Sequence, residues 1–160
     1  MHRESNPGSD AAGLAAALRA IDLDLRRHPG HRLFTVLVID WERCENWRIY
    51  SSEPAHYPAG GAKPLLAQGE FFRRVVLNGQ ARICADREAC RLAFPDHGLL
   101  ESLGCESAVN VPIRREGRTV GSLNLLHRAG WYREEMIPGL HSFADAAAAL
   151  LPRTITGERP

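Results

Sequence analysis

Apolar and polar positions follow two rhythms along this chain. Leu14, Leu18, Ile21 and Leu25 recur at helical spacing, with Arg19, Asp22, Asp24 and Arg26 between them. That pattern predicts an amphipathic helix capped at Ser9 or Asp10 and stopped by His28-Pro29-Gly30. Arg32 to Trp41 is almost unbroken apolar sequence and predicts a strand covered on both faces. Asn46 to Ser52 alternates and reads as its antiparallel partner across a turn at Glu42 to Glu45. Glu53 to Lys63 is rich in Pro and Gly and reads as a loop.

Pro64 to Leu77 predicts a helix, Asn78-Gly79 a turn, and Ala81 to Cys84 a short strand. Asp86 to Leu103 reads as helix broken near Phe94-Pro95. Cys105 to Arg114 and Arg118 to Arg128 form the clearest hairpin, turning at Glu116-Gly117. A last helix from Trp131 presents Met136, Leu140, Phe143, Ala147 and Leu150 on one face and ends at Pro152. Local strand pairing with helices at both ends predicts an α+β domain on an antiparallel sheet. The expected organisation is a disordered leader over 1–8, one domain over 9–152 and a loose tail over 153–160.

Composition narrows the function classes. The chain has 160 residues and is 44% hydrophobic, enough for one core. Lys+Arg number 20 against 19 Asp+Glu, so charge gives no reason to expect nucleic acid or an anionic membrane as partner. The polar N-terminus lacks a signal-peptide core, and the longest apolar run is far too short for a span, so the cytoplasm is the expected compartment. Cys44, Cys84, Cys90 and Cys105 form no CxxC pair, so no metal site is expected and the cysteines read as buried thiols.

The block from Gly104 to Glu135 resembles a GAF domain. Val111-Pro112-Ile113 ends one strand, Arg115-Glu116-Gly117 makes a charged turn, and Gly121-Ser122-Leu123-Asn124-Leu125 supplies a G-x-L-x-L strand. Trp131 and Glu134-Glu135 then open the last helix, and the resemblance extends more weakly over Leu14 to Leu151. It implies a profilin-like, PAS-related sheet with the terminal helices on one face and a ligand pocket on the other. Alternation puts Gly121, Leu123 and Leu125 on the helical side and Ser122, Asn124 and Leu126 on the pocket side, with Ala108 and Asn110 beside them.

Asn110 and Asn124 each interrupt an apolar strand, where Asn is disfavoured. Two such amides can hold a polar ligand, or they can satisfy each other, the backbone or water. Tyr57, Phe94, His97 and Cys105 belong to segments expected to roof the pocket, with Tyr57 to Gly61 as a lid. The expected occupant is a small polar or zwitterionic molecule, with no cofactor assigned. A homodimer through the terminal helices is also expected.

Two other functions follow from the resemblance. Free methionine-(R)-sulfoxide reductase is an enzyme of this fold, and three cysteines within Cys84 to Cys105 invite that thiol chemistry. Yet Ala108, Asn124 and Leu126 stand where that enzyme carries carboxylates, and the cysteine of its G-V-C-G loop has no counterpart. The cyclic-nucleotide subgroup follows its Asn with Lys, whereas Asn124 is followed by Leu125. A dimeric interaction module without ligand is the third reading. The leading one is a stand-alone sensor or regulatory domain rather than a catalyst.

Overall fold

The computed structural model describes residues 7–65 and 68–152. Helix α1 (Pro7–Arg27) leads into β1 (Leu33–Asp40), β2 (Glu45–Ser51) and a short β3 (Ala62–Pro64). A π-helical segment (Phe71–Leu77), β4 (Arg82–Cys84), α2 (Arg87–Ala93) and α3 (His97–Ser102) follow. The hairpin β5 (Ser107–Arg115) and β6 (Arg118–His127), a 3-10 turn (Glu134–Met136) and α4 (Ile137–Leu150) complete the order. The described strands form one antiparallel sheet ordered β3-β2-β1-β6-β5-β4, the α+β architecture that the apolar pattern predicts.

The two faces of the sheet do different work. Phe34 and Val36 of β1, Leu123 and Leu125 of β6, and Val109 and Val111 of β5 point to one side. There they meet Leu18 and Leu25 of α1 and Leu140 and Ala147 of α4 in the main core. The opposite face carries a smaller cluster in which Leu33, Ala108 and Leu126 pack beneath Cys90 and Leu100 of the middle helices. That second layer covers part of the face, and the remainder lines a cavity.

Local signals explain most boundaries. Asp86 caps α2, its Oδ1 accepting from the Ala89 N–H at 2.9 Å. Glu116 and Gly117 both have positive φ, 54° and 75°, as the tight twisted turn of a two-residue hairpin requires. Asp22 lies on the buried side of α1, where the Tyr50 hydroxyl donates to its Oδ2 at 2.5 Å and His31 Nε2 lies 2.7 Å from its Oδ1.

Several boundaries differ from the pattern reading. Helix α1 begins at Pro7, inside the stretch read as leader, so the helix starts ahead of Ser9 and Asp10; Pro suits a first turn because it lacks only an N–H with no intrahelical partner. The rest of that leader and the tail 153–160 lie outside the described residues. The Pro- and Gly-rich loop ends in strand: Ala62 to Pro64 pair with Trp47 to Glu45. Pro64 is tolerated because β3 is an edge strand. The helix expected from Pro64 forms only from Phe71, and as a π-helix. At the C-terminus Leu150 is exposed and Leu151 turns inward instead.

Candidate functional site

Four adjacent strands place one polar residue each in a single lateral row. Thr35 of β1 is the register partner of Asn124 in β6, Asn124 of Asn110 in β5, and Asn110 of Arg82 in β4. All four are buried. The row on one side of them is apolar: Leu33, Leu126, Ala108 and Cys84. Such a polar seam in an apolar face demands internal hydrogen bonds, and it has them.

The bonds run in one direction. Arg82 Nε donates to Asn110 Oδ1 at 2.9 Å, and Asn110 Nδ2 donates to Asn124 Oδ1 at 2.8 Å. Asn124 Oδ1 also accepts from Ser122 Oγ at 3.1 Å, while its Nδ2 faces Thr35 Oγ1 at 3.4 Å. A guanidinium donates and never accepts, so Arg82 dictates which end of each amide faces its neighbour.

A cavity of about 820 Å³ lies over this seam, within the size range of small-molecule sites. Its floor includes Thr35, Asn110, Asn124, Arg82 and Leu126, and its walls include Phe71, Phe72 and Phe94. The guanidinium carbon of Arg82 lies 5.4 Å from the Phe71 ring centre and 5.7 Å from that of Phe94. The chemistry offered is an apolar chamber with amide, hydroxyl and guanidinium groups at its base.

The rim near Tyr57 is pinned. The Tyr57 hydroxyl donates to the Asp96 carboxylate, and Lys63 Nζ lies 3.3 Å from the same Oδ2. Arg48 stacks 3.7 Å above the Tyr57 ring and donates from Nη1 to the Pro58 carbonyl at 2.8 Å. Burial raises the Asp96 carboxyl, but the bonds from Tyr57 and Lys63 outweigh it and hold it below the usual range. Burial and the same carboxylate push the Tyr57 phenol up.

Cys84 stands on the cavity wall. A hydrogen bond from Cys90 lowers its thiol, and the charge of Arg82 adds to that effect. Cys90 is raised in turn by the same bond. Cys105 is pushed up to about 11 by burial. All four cysteines are free thiols, and Cys44 is exposed.

Of the residues singled out from sequence, Asn110, Asn124, Leu126, Tyr57 and Phe94 line the cavity. Ala108, Ser122, Cys105 and His97 do not. Ala108 is sealed within the second cluster, which also takes Cys105. The Ser122 hydroxyl is turned onto Asn124. His97 opens α3, half-buried and off the wall. The sequence reading missed Arg82, and it took Cys84 only as a thiol of the enzyme reading, not as part of the pocket. Alternation in Ala81-Arg82-Ile83-Cys84 was the available signal, because Ala81 and Ile83 pack against the main core and direct Arg82 and Cys84 to the other face.

Among the described residues no three His, Cys, Asp or Glu side chains gather as a metal site, and no helix is long and apolar enough to cross a membrane. A family model described as GAF domain matches residues 15–151. No curated protein matches the chain. Solved structures share the fold at low identity. A GAF domain/HD domain protein from Geobacter sulfurreducens superposes with a TM-score of 0.68 and 12% identity, over 86% of this chain and 91% of that one. The GAF domain of a two-component sensor histidine kinase from Bacillus halodurans gives 0.65 and 15%, over 84% and 90%. A type II free methionine-R-sulfoxide reductase from Thermoplasma acidophilum gives 0.64 and 17%, over 88% and 94%.

Proposed function

The chain belongs to the GAF domain family, and from that premise we propose that it is a small-molecule-binding regulatory domain. The observation that carries this reading is the polar seam Thr35–Asn124–Asn110–Arg82 at the floor of a cavity of about 820 Å³. Apolar walls with a few convergent polar groups suit a compact organic ligand. The opposite sheet face packs on α1 and α4, so a change at the seam has a short path to the helical layer. Those two helices are also the surface through which we propose a homodimer; sedimentation as a monomer at micromolar concentration overturns that part.

A thermal-shift screen with amino acids, organic acids and nucleobases tests the reading. A true ligand raises the melting temperature with concentration, because it binds only the folded chain. Asn124→Leu is expected to lose that shift. A screen in which no compound stabilises the wild-type chain counts against it.

Cys84 on the cavity wall favours a second reading, a thiol-dependent reductase. In it the Cys84 thiolate takes the oxygen of a sulfoxide as a sulfenic acid with uptake of a proton, and the thioether leaves. Cys90 then displaces hydroxide, which leaves as water with the Cys90 proton, and a cellular dithiol reduces the resulting disulfide. Ala108, Asn124 and Leu126, which replace the carboxylates of the resembling enzyme, weigh against it. A Cys84–Cys90 disulfide found by mass spectrometry after exposure to methionine sulfoxide supports it, and unchanged thiols exclude it.

A further inference from the structure

Arg82 is 4% exposed, yet its hydrogen-bond acceptor is the neutral amide of Asn110, and among the described residues it makes no ion pair. A guanidinium this buried and without a carboxylate is costly, because little water reaches the charge and no carboxylate replaces it. The other cations on the wall are engaged: Lys63 with Asp96, Arg91 with Glu101, and Arg48 with the Tyr57 ring and the Pro58 carbonyl. Glu70 also stands on the wall and makes no ion pair with Arg82.

We propose that Arg82 is the anchor for the carboxylate of a monoanionic ligand whose apolar body lies between Phe71 and Phe94; this rests on the small-molecule reading above. Asn110 occupies Nε, which leaves the terminal nitrogens as the donors for the ligand. Two parallel N–H donors match the two oxygens of a carboxylate. One guanidinium with no ion pair among the described residues, with Glu70 on the same wall, suits a single negative charge better than a phosphate dianion. The flanking rings accept a flat or aliphatic body and shield the ion pair from water.

Isothermal titration of the full chain with 3-phenylpropanoate, its uncharged amide and phenyl phosphate tests this. The acid is expected to bind about ten-fold or more tightly than the amide, the difference a charge-assisted bond makes. Arg82→Gln is expected to abolish the preference for the acid over the amide. Equal binding of acid and amide overturns the carboxylate assignment and leaves the small-molecule reading standing. Tighter binding of phenyl phosphate overturns it as well. Absence of binding by all three overturns this assignment, while the broader reading is decided by the metabolite screen. Should Arg82→Gln fail to fold, the acid-to-amide ratio on the wild-type chain decides alone.

Discussion

Arg82 Nε donates to Asn110 Oδ1 at 2.9 Å, and that bond orients the amide so that its nitrogen faces Asn124. The seam is therefore a chain polarised from one end, and its members are energetically coupled. Asn110→Leu strips the acceptor from a buried cation and is expected to destabilise by about 2–3 kcal/mol. Asn124→Leu leaves Asn110 Nδ2 and Ser122 Oγ without an acceptor and is expected to cost about 1–3 kcal/mol. In the double variant one loss is shared, so the sum should exceed the measured cost by about 0.5 kcal/mol or more. Urea denaturation of the four proteins reads the coupling; strict additivity contradicts a connected network.

Asp22 gives the fold an acid sensitivity of its own. Burial raises its carboxyl, but bonds from His31 and Tyr50 prevail and hold it below the usual 3.8. A carboxyl lowered on folding stabilises fully above its unfolded value, and that part is lost as pH falls through the folded one. Asp22→Asn is expected to cost about 1–3 kcal/mol near pH 7, from buried His31 and half-buried Tyr50 left poorly paired. The gap to wild type should narrow as pH drops below about 4. Denaturant midpoints across pH 3 to 7 show this directly, and a constant gap would rule the carboxylate out as the cause.

Much of this was legible in the sequence, and the limits have physical reasons. Strict alternation in Gly121 to Leu126 assigned both faces of β6, because one side had to meet apolar helices. Asn110 and Asn124 stood out because amides rarely interrupt such strands, and they are indeed the middle of the seam. Arg82 did not stand out, since an arginine in a three-residue strand looks like ordinary surface until its register with Asn110 is known. Pairing between distant strands is what sequence rhythm cannot supply. Ala108 sits on the expected side of the sheet and Cys105 was expected in the roof, but the second cluster seals both off. Side-chain packing between layers decided that, and period-2 alternation carries no information about it.

Gly121 is held by the sheet itself. A Cβ at this position lies 2.3 Å from the Leu37 carbonyl oxygen, which belongs to the backbone of the neighbouring strand. Backbone at the centre of a sheet cannot move aside as a flexible side chain can. Gly121→Ala is expected to destabilise by about 1–3 kcal/mol, the range for an overpacked interior. It should also loosen the β1–β6 pairing, seen as faster amide exchange in Leu37 and Val38. A variant as stable as wild type contradicts the close approach.

Thiol reactivity reports on the seam without any ligand. Cys84 has its thiol lowered by the Cys90 bond and by Arg82, and it borders the cavity. Cys90 and Cys105 are raised, so they hold less thiolate at the same pH. With iodoacetamide at pH 7.5, exposed Cys44 should be modified first, and among the buried thiols Cys84 should lead. Rates by peptide mapping then separate the two contributions to Cys84. Arg82→Gln removes a nearby positive charge and should slow Cys84, with Cys44 unaffected as the internal control. Cys90→Ser, whose hydroxyl still donates, should keep more of the Cys84 rate than Cys90→Ala does. Equal rates at Cys84 and Cys105 would contradict a lowered Cys84 thiol.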